Sequence, residues 1–321
     1  MNKWTINDIP DLHGRVALVT GANSGLGLET TRALAARRAH VIMACRSLTK
    51  ARQAEAEIKQ SVPGASVELA QLDLASQASV HECADTIQQT HDRLDLLFNN
   101  AGVMAIPRRE TPDGFETQFA TNYLGHFALT GLLLPTLLST PRSRVVTLTS
   151  IARMFAHGRI DFDDLNGKHS YDRSRAYGQS KLATLLFADE LQRRLARAGS
   201  TTISVSAHPG YARTELQSTS QAASGSILER FGEAAMRPFM SQSAQMGALP
   251  QLYAALSPDL QGGERIGPDG LFALRGYPHV EPVNEQEENP RTAARLWDRS
   301  VELTGVDYAS LQTQQSREAG V

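Results

Sequence analysis

The stretch RVALVTGANSGLG, residues 15–27, contains the clearest structural signal of the chain. Residues 15–20 form a short apolar and β-branched run, which predicts a buried parallel strand. Three glycines follow, Gly21, Gly25 and Gly27, and a helical apolar pattern continues from Leu28. Strand, glycine turn and helix in this order predict nucleotide binding, because N–H groups at the helix N-terminus can approach a pyrophosphate. The spacing Gly-x-x-x-Gly-x-Gly differs from the common Gly-x-Gly-x-x-Gly, so a flexible strand-to-helix turn is the alternative.

The alternation of strand and helix continues along the chain. Helical patterns separate further strand-like runs at 40–45, 66–70, 94–98, 144–149 and 202–207, with a candidate seventh at 270–274. This alternation predicts an α/β chain with a single-domain Rossmann fold, a doubly wound parallel sheet of six to seven strands with helices on both faces. We assign residues 1–14 to a lead-in, 15–308 to the catalytic domain and 309–321 to a disordered tail.

Residues 217–250 differ in composition from the rest of the domain. They are rich in Ser, Gln, Ala and Met and contain Phe231 and Phe239. Such an adaptable segment next to the carboxyl edge of the sheet favours a substrate lid. A pair of surface helices is the alternative.

The composition excludes several classes of protein. With 321 residues and a net charge of −2, the chain has no electrostatic footprint for nucleic acid or for an anionic membrane. The longest apolar stretch, residues 125–138, is too short to span a bilayer, and we expect neither a signal peptide nor a membrane anchor. The two cysteines lie far apart, which fits a reducing, cytoplasmic location. The nine histidines show no metal-ligand spacing, so we predict no metal site.

Arg46 is the residue that indicates which nicotinamide cofactor binds. It ends the second predicted strand, nineteen residues after Gly27, and no acidic residue stands at positions 44–47. At this place an acid pairs with the 2′-hydroxyl of NAD, whereas an arginine accommodates the 2′-phosphate of NADP. The sequence therefore predicts NADP(H).

Polar and small residues follow the next strands at the carboxyl edge, where open α/β sheets bind ligands. Asp73 follows the third strand and is either a helix N-cap or an acceptor for the adenine amino group. Asn99-Asn100-Ala101-Gly102 ends the fourth strand, and Ser150 follows the fifth. Asn122 lies inside a long predicted helix, 115–138, and is either an internally bonded residue or a site residue.

Tyr177 and Lys181 occupy one face of the following helix, because they are four residues apart. A phenol titrates near pH 10, and a neighbouring ammonium favours its ionised form and lowers its pKa. Such a tyrosine can donate or accept a proton at a carbonyl or alcohol oxygen. Alone, the pattern Tyr-x-x-x-Lys has little value, since both residues are common on solvated helix faces.

Together the motifs resemble the short-chain dehydrogenase/reductase family, from about residue 15 to 214. The matching pieces, in the family's order, are TGANSGLG (20–27), LDL (72–74), NNAG (99–102), Asn122, Ser150, YGQSK (177–181) and HPG (208–210). The segments NYLGHFALTGLLLP (122–135) and YGQSKLA (177–183) are most similar to the retinol-dehydrogenase-like and protochlorophyllide-reductase-like branch. The 26 residues between Ser150 and Tyr177, about twice the common family spacing, include IDFDDLN (160–166), which is similar to that branch.

The resemblance implies four catalytic residues. Tyr177 is the general acid in reduction and the base in oxidation, and Lys181 lowers its pKa and binds the nicotinamide ribose. Ser150 polarises the carbonyl, and Asn122 holds a water in the proton relay. The resemblance also implies a homodimer in which the helices with Asn122 and Tyr177 pack across a two-fold axis.

The resemblance implies a cofactor site as well. In it, Arg46 meets the 2′-phosphate, Asp73 the adenine and Thr214 the carboxamide. The complete implied set is Gly21, Asn23, Ser24, Gly25, Leu26, Gly27, Arg46, Asp73, Leu74, Asn99, Ala101, Gly102, Tyr177, Lys181, Pro209, Gly210 and Thr214.

The resulting hypothesis is an NADP(H)-dependent oxidoreductase that interconverts a carbonyl and an alcohol on a lipophilic small molecule. One alternative is an NADPH-dependent reductase of carbon–carbon double bonds, in which Tyr177 protonates carbon. An alternative of another class is a non-catalytic NADP(H)-binding sensor or scaffold. Loss of a catalytic residue would favour the latter, and all four are present.

Overall fold

An eight-stranded sheet runs through the part of the chain that this computed structural model describes, residues 3–212, 242–282 and 289–311. The strand order is β3-β2-β1-β4-β5-β6-β7-β8, and all pairs are parallel except β7 with β8. This architecture confirms the predicted Rossmann fold. The sheet has eight strands and not the predicted six to seven, because β8 adds an antiparallel edge strand. The strands are β1 Val16–Thr20, β2 His40–Cys45, β3 Ser66–Gln71, β4 Leu96–Asn99, β5 Arg144–Leu148, β6 Ile203–Ala207, β7 Arg265–Pro268 and β8 Pro278–Val280.

The seventh strand is not where we predicted it. Residues 270–274 contain a 3₁₀ turn, Leu271–Ala273, and β7 is the preceding segment Arg265–Pro268. The prediction was wrong because Leu271 and Phe272 are apolar but exposed, at 78% and 79%. By contrast, Arg265 is buried in β7 and its guanidinium pairs with Asp189 at 2.8 Å.

Helices cover both faces of the sheet and form two apolar cores. One core contains residues of α3, α5, α6 and α8, and the other contains residues of α1, α2 and α7. No helix of the described ranges is both long and apolar enough to cross a membrane. The helices are α1 Gly25–Ala36, α2 Leu48–Ser61, α3 Gln77–Thr90, α4 Thr117–Phe119, α5 Gly125–Ser139, α6 Arg173–Arg197, α7 Ala244–Leu256 and α8 Pro290–Thr304.

The last described segment, 290–311, packs against α5 and α6. Trp297 of α8 stacks on Phe187 of α6 with ring centroids 6.0 Å apart and contacts Phe127 of α5 at 5.1 Å. The Tyr308 hydroxyl donates a 2.7 Å hydrogen bond to the Phe127 carbonyl. The homodimer that the resemblance implies pairs α5 and α6, and α8 covers part of their surface. That dimer stays a prediction.

Two predicted segments extend beyond the described residues. Of the predicted lid, 217–250, residues 217–241 lie outside them, whereas 244–250 belong to α7 and include buried residues such as Ala248 and Leu249. That portion is therefore core and not lid. Of the predicted disordered tail, 309–311 instead form a helical turn in which Leu311 is buried, and 312–321 lie outside the described residues.

Candidate active site

The turn between β1 and α1 has no room for a side chain at Gly21 or Gly27. Gly21 and Gly25 have φ of +65° and +53°, which favour glycine. A Cβ on Gly27 would lie 2.4 Å from the Gly21 carbonyl oxygen. The helix can therefore approach the turn this closely only if residue 27 is glycine. Ser24 is the N-cap of α1, and its side chain makes no capping hydrogen bond. The first N–H groups of α1 are therefore available to an anion, which fits a dinucleotide pyrophosphate.

Thr20 connects this turn to the end of β4. Its hydroxyl oxygen accepts hydrogen bonds of 2.9 Å from the backbone N–H groups of both Asn100 and Ala101. The Asn100 side chain donates to the Thr20 carbonyl at 2.7 Å. These bonds hold the predicted NNAG segment beside the glycine turn, as expected for one crevice.

His126 is a buried residue of this crevice that sequence analysis missed. Its Nδ1 lies 2.8 Å from the Asn122 carbonyl and its Nε2 lies 2.9 Å from the Thr20 hydroxyl. Because a carbonyl only accepts, Nδ1 carries the hydrogen and Nε2 accepts from Thr20. Burial lowers the pKa of His126 to about 4, opposed by the Asn122 bond, so the ring stays neutral. His126 therefore joins Thr20, at the start of the glycine turn, to Asn122. The one sequence signal for this role is its position four residues after Asn122.

Asn122 lies in a single π-helical turn, Ala120–Leu124, between α4 and α5. Such turns are frequent at functional sites. The Asn122 side chain accepts from the Val103 N–H at 2.7 Å and donates to the Val103 carbonyl at 2.9 Å and to Ser180 Oγ at 2.8 Å. The internal bonding that we considered from sequence is thus present. The relay water that the resemblance places at Asn122 stays a prediction.

Ser150, Tyr177 and Lys181 meet at the carboxyl end of β5. Ser150 caps the 3₁₀ helix Ile151–Ala156, and its hydroxyl also bonds the hydroxyl of Tyr177. Lys181 Nζ donates to the Leu148 carbonyl at 3.0 Å. Asn122 and Lys181 both lie beside Gly102, since a Cβ placed on this glycine would be 3.0 Å from Asn122 Oδ1 and 3.7 Å from Lys181 Nζ. The four predicted catalytic residues therefore line one site.

Burial dominates the protonation of the two central groups. It raises the pKa of Tyr177 to about 12, with the Ser150 hydrogen bond acting in the opposite direction. Burial also lowers the pKa of Lys181 to about 8. The lowering of the Tyr177 pKa that we expected from Lys181 is therefore not seen in this structure. At neutral pH the phenol is protonated, which is the form that can donate a proton.

The Pro209-Gly210 turn is held by a hydrogen-bond network around the buried His208 that sequence analysis did not predict. The Gly210 N–H donates to His208 Nδ1 at 3.2 Å, so His208 Nε2 bears the hydrogen and donates to Glu281 at 2.7 Å. Burial would raise the pKa of Glu281, but His208 and the charge of Arg153 hold it below its ordinary value. Arg153 also donates to the Ser150 carbonyl at 3.3 Å. The network thus joins Gly210 to the Ser150 segment, 60 residues earlier in the chain, through Glu281.

The predicted adenine-side residues divide into accessible and buried ones. Arg46 is exposed at the end of β2 and forms no ion pair within the described ranges. Asp73 is not the N-cap of α3, which is Ser76; it accepts the Ala75 N–H at 3.0 Å with one carboxylate oxygen. No hydrogen bond from the described part of the chain reaches the other carboxylate oxygen, and the adenine contact stays a prediction. Leu74 is a core residue, 5% exposed, whose carbonyl faces Gly125.

Asn99 has a different environment from the one we expected. It is 1% exposed, and its amide nitrogen donates to Thr130 at 2.9 Å inside the core. A ribose contact could therefore use only its backbone. Thr214, the predicted carboxamide residue, lies outside the described residues.

Known proteins are similar to this chain over most of its length. The model of the family described as short chain dehydrogenase matches residues 15–225. Retinol dehydrogenase 13 of Homo sapiens is 39% identical over 305 residues, which make up 94% of this chain and 88% of that protein.

Solved structures show the same likeness. An uncharacterized protein from Mycobacterium paratuberculosis is 40% identical with a TM-score of 0.77, over 96% of this chain and 99% of that chain. The active-site complex of Pseudomonas aeruginosa RhlG with NADP is 22% identical with a TM-score of 0.64, over 82% of this chain and 98% of that chain. At that identity the second likeness concerns the fold alone.

Proposed function

The chain belongs to the short-chain dehydrogenase family, and on that basis we propose that it uses NADP(H) to interconvert a carbonyl and an alcohol on a lipophilic small molecule. The family uses nicotinamide nucleotides and acts on CH–OH groups. The observation that carries the proposal is the contact of α6 with the carboxyl end of β5. Lys181 Nζ donates to the Leu148 carbonyl at 3.0 Å and the Thr149 hydroxyl donates to the Lys181 carbonyl at 2.7 Å, which places the Tyr177–Lys181 turn beside Ser150.

The proposed chemistry divides between the cofactor and the chain. A bound nicotinamide would supply or accept the hydride at the substrate carbon. Tyr177 donates its phenolic proton to the substrate oxygen in reduction, and takes it back in oxidation. The Ser150 hydroxyl hydrogen-bonds the same oxygen and stabilises the charge that develops on it. The Lys181 ammonium, held by the Leu148 carbonyl at 3.0 Å, stabilises the phenolate that Tyr177 leaves behind.

The choice of NADP(H) over NAD(H) rests on Arg46. Its guanidinium is exposed at the end of β2, and β2 pairs with β1 beside the glycine turn. A 2′-phosphate needs a cationic partner at this place, whereas an acid would be needed for the 2′-hydroxyl. Ser47 caps α2 directly after it, so the first turn of that helix also faces this region.

We predict that Arg46→Ala raises the Kd for NADPH by about 10–100-fold and leaves the Kd for NADH unchanged. The reason is that a charge-assisted hydrogen bond is worth about 1.5–3 kcal/mol, and 1.4 kcal/mol is tenfold. Fluorescence titration with both nucleotides measures the two constants. Arg52→Ala is the matched control, since it removes an exposed cation of α2. The assignment would be contradicted if Arg46→Ala weakened the binding of NADPH and NADH equally. It would also be contradicted if Arg52→Ala weakened NADPH binding as much as Arg46→Ala does.

The lipophilic substrate class rests on exposed apolar side chains around the site. Met154 and Phe155 follow Ser150 in the chain and are 65% and 53% exposed. Phe155 packs against the helix of Tyr177, since a Cβ placed on Gly178 would lie 2.9 Å from the Phe155 Cβ. Leu271 and Phe272 are also exposed, and the neighbouring Leu274 carbonyl contacts Gly210. Exposed apolar groups that flank a site indicate an apolar ligand or surface. The name of the retinol dehydrogenase relative is consistent with this class.

The test of the proposal is steady-state NADPH and NADH oxidation against aldehydes and ketones graded in chain length. We expect kcat/KM with NADPH to rise with apolar length, and the product to be an alcohol. A saturated carbonyl formed from an enone substrate would point to the double-bond reductase instead. Tight NADPH binding with no turnover across the panel would point to a sensor.

The proposed location is the cytosol. Both cysteines, Cys45 and Cys83, are free and buried. Burial raises the pKa of the Cys45 thiol to about 11, against two backbone hydrogen bonds, so it is unreactive. Fractionation of cells followed by activity measurement checks the location.

A further inference from the structure

Two histidines and one glutamate lie together at the opposite edge of the sheet from the candidate active site. His40 is the first residue of β2, Glu68 belongs to β3, and His91 is the C-cap of α3. Glu68 Oε2 lies 3.1 Å from His40 Nε2 and 3.1 Å from His91 Nε2. One ligand atom from each residue lies within 4.8 Å of the other two.

These separations are close to those of a tetrahedral zinc site. With Zn–N and Zn–O bonds of about 2.0–2.2 Å, the ligand atoms of a tetrahedron are roughly 3.3 Å apart. Both nitrogen–oxygen pairs are within a few tenths of an ångström of that value. The two imidazoles need to approach each other by at most about 1.5 Å, which rotation of partly exposed rings can supply.

His40 also has the support that a metal ligand needs. Its Nδ1 lies 2.8 Å from Ser66 Oγ, the residue paired with it across the two strands. When Nε2 binds a metal, Nδ1 carries the hydrogen, and Ser66 Oγ is placed to accept it. Such outer partners fix the ring orientation and the tautomer of metal-binding histidines.

We propose that His40, Glu68 and His91 bind one Zn²⁺ ion, with water in the fourth position. Two imidazoles and one carboxylate are the donor set of known zinc sites with an open position. The side chains are 30%, 39% and 15% exposed, so the ion can enter from solvent. This site does not depend on the proposed reaction, because β2 separates it from the cofactor edge by roughly 16 Å at about 3.3 Å per residue.

The bound ion would join β3, which is the edge strand of the sheet, to its neighbour β2 and to the end of α3. The three ligands are 28 and 23 residues apart, so no short ligand spacing exists in the sequence. This is why the histidines showed no metal pattern before the fold was known. A cross-link between an edge strand and a helix end should raise the unfolding temperature.

Equilibrium dialysis of the tag-free chain against ZnCl₂, followed by elemental analysis, tests the site. We expect one zinc per chain and a rise in Tm of about 5 °C at saturating zinc, with no rise in MgCl₂. His91→Ala and Glu68→Gln should each weaken binding at least about tenfold in competition with a chromogenic chelator, and Ser66→Ala about tenfold.

His81→Ala is the matched control, because it removes an exposed imidazole of α3 outside the cluster. Far-UV circular dichroism checks that each variant is folded. If His91→Ala does not fold, Glu68→Gln still tests the site, because this substitution keeps the side-chain volume. Failure of the wild type to take up zinc overturns the proposal. So does uptake that is unchanged in Glu68→Gln and His91→Ala, or reduced equally in His81→Ala.

Discussion

Tyr177→Phe is expected to lower kcat for carbonyl reduction by about 10²–10⁴-fold, the usual contribution of a positioned general acid. The substitution removes only the hydroxyl that bonds Ser150, and the ring remains 8% exposed against its present neighbours. Burial holds the phenol protonated at neutral pH, so the variant loses a proton that is available in the wild type. The Kd for NADPH should stay unchanged, because the glycine turn and Arg46 are untouched.

Single-turnover measurement of NADPH oxidation separates the chemical step from binding and product release. Tyr171→Phe is the matched control, since its hydroxyl is partly buried and is hydrogen-bonded to Gln118 at 2.8 Å and to Glu116 at 3.0 Å. It should reduce stability without a comparable loss of kcat. If the two variants lose kcat equally, or if Tyr177→Phe stays within about tenfold of wild type, Tyr177 is not the acid.

Trp297→Ala is expected to lower the free energy of unfolding by about 3–5 kcal/mol, as for other buried large aromatic residues. Trp297 is 3% exposed and its ring contacts those of Phe127, Phe187 and Tyr308, the last with centroids 4.4 Å apart. The Arg194 guanidinium lies 4.4 Å above the indole and adds a cation–π interaction. Truncation would leave a cavity between α5, α6 and α8.

Equilibrium unfolding in urea, followed by far-UV circular dichroism, gives this free energy for each variant. Trp4→Ala is the matched control, because Trp4 is only partly buried and contacts the ring of Tyr253, with centroids 5.5 Å apart. Its loss should cost about 1 kcal/mol, the value of one aromatic pair. A cost for Trp297→Ala no larger than that for Trp4→Ala would show that α8 is not part of the core.

The first half of the fold was predictable because its signals are local. The strand, glycine turn and helix of residues 15–27 follow one another directly, and periodicity identifies the strands that surround them. The C-terminal part has weaker signals. Strand β7 contains a buried arginine and a proline, while the exposed Leu271 and Phe272 resemble a strand in composition. A hydrophobic pattern cannot distinguish these two segments, because the Asp189 carboxylate that pairs with Arg265 comes from α6, 76 residues earlier in the chain.

The candidate site, like the fold, was predictable where its signals are local. The residues that stand at strand ends or one helix turn apart, such as Ser150, Tyr177 and Lys181, meet as expected. The supporting bonds did not follow from sequence, because Glu281 and His208 are 73 residues apart and Thr20 and His126 are 106 apart. Contacts at such separations follow from the topology and leave no pattern in either segment alone.

Segment 290–311 has a consequence for how the protein is made. Its aromatic side chains complete the apolar surface of α5, which follows the turn of Asn122, and of α6, which contains Tyr177, yet this segment leaves the ribosome after both helices. Chains fold from the N-terminus during synthesis, at about 5–20 residues per second. Until this segment emerges, the Rossmann sheet can form while part of the apolar surface of both helices is exposed to solvent. A nascent chain that stalls before residue 290 should therefore require a chaperone, and release of the full-length chain should free it.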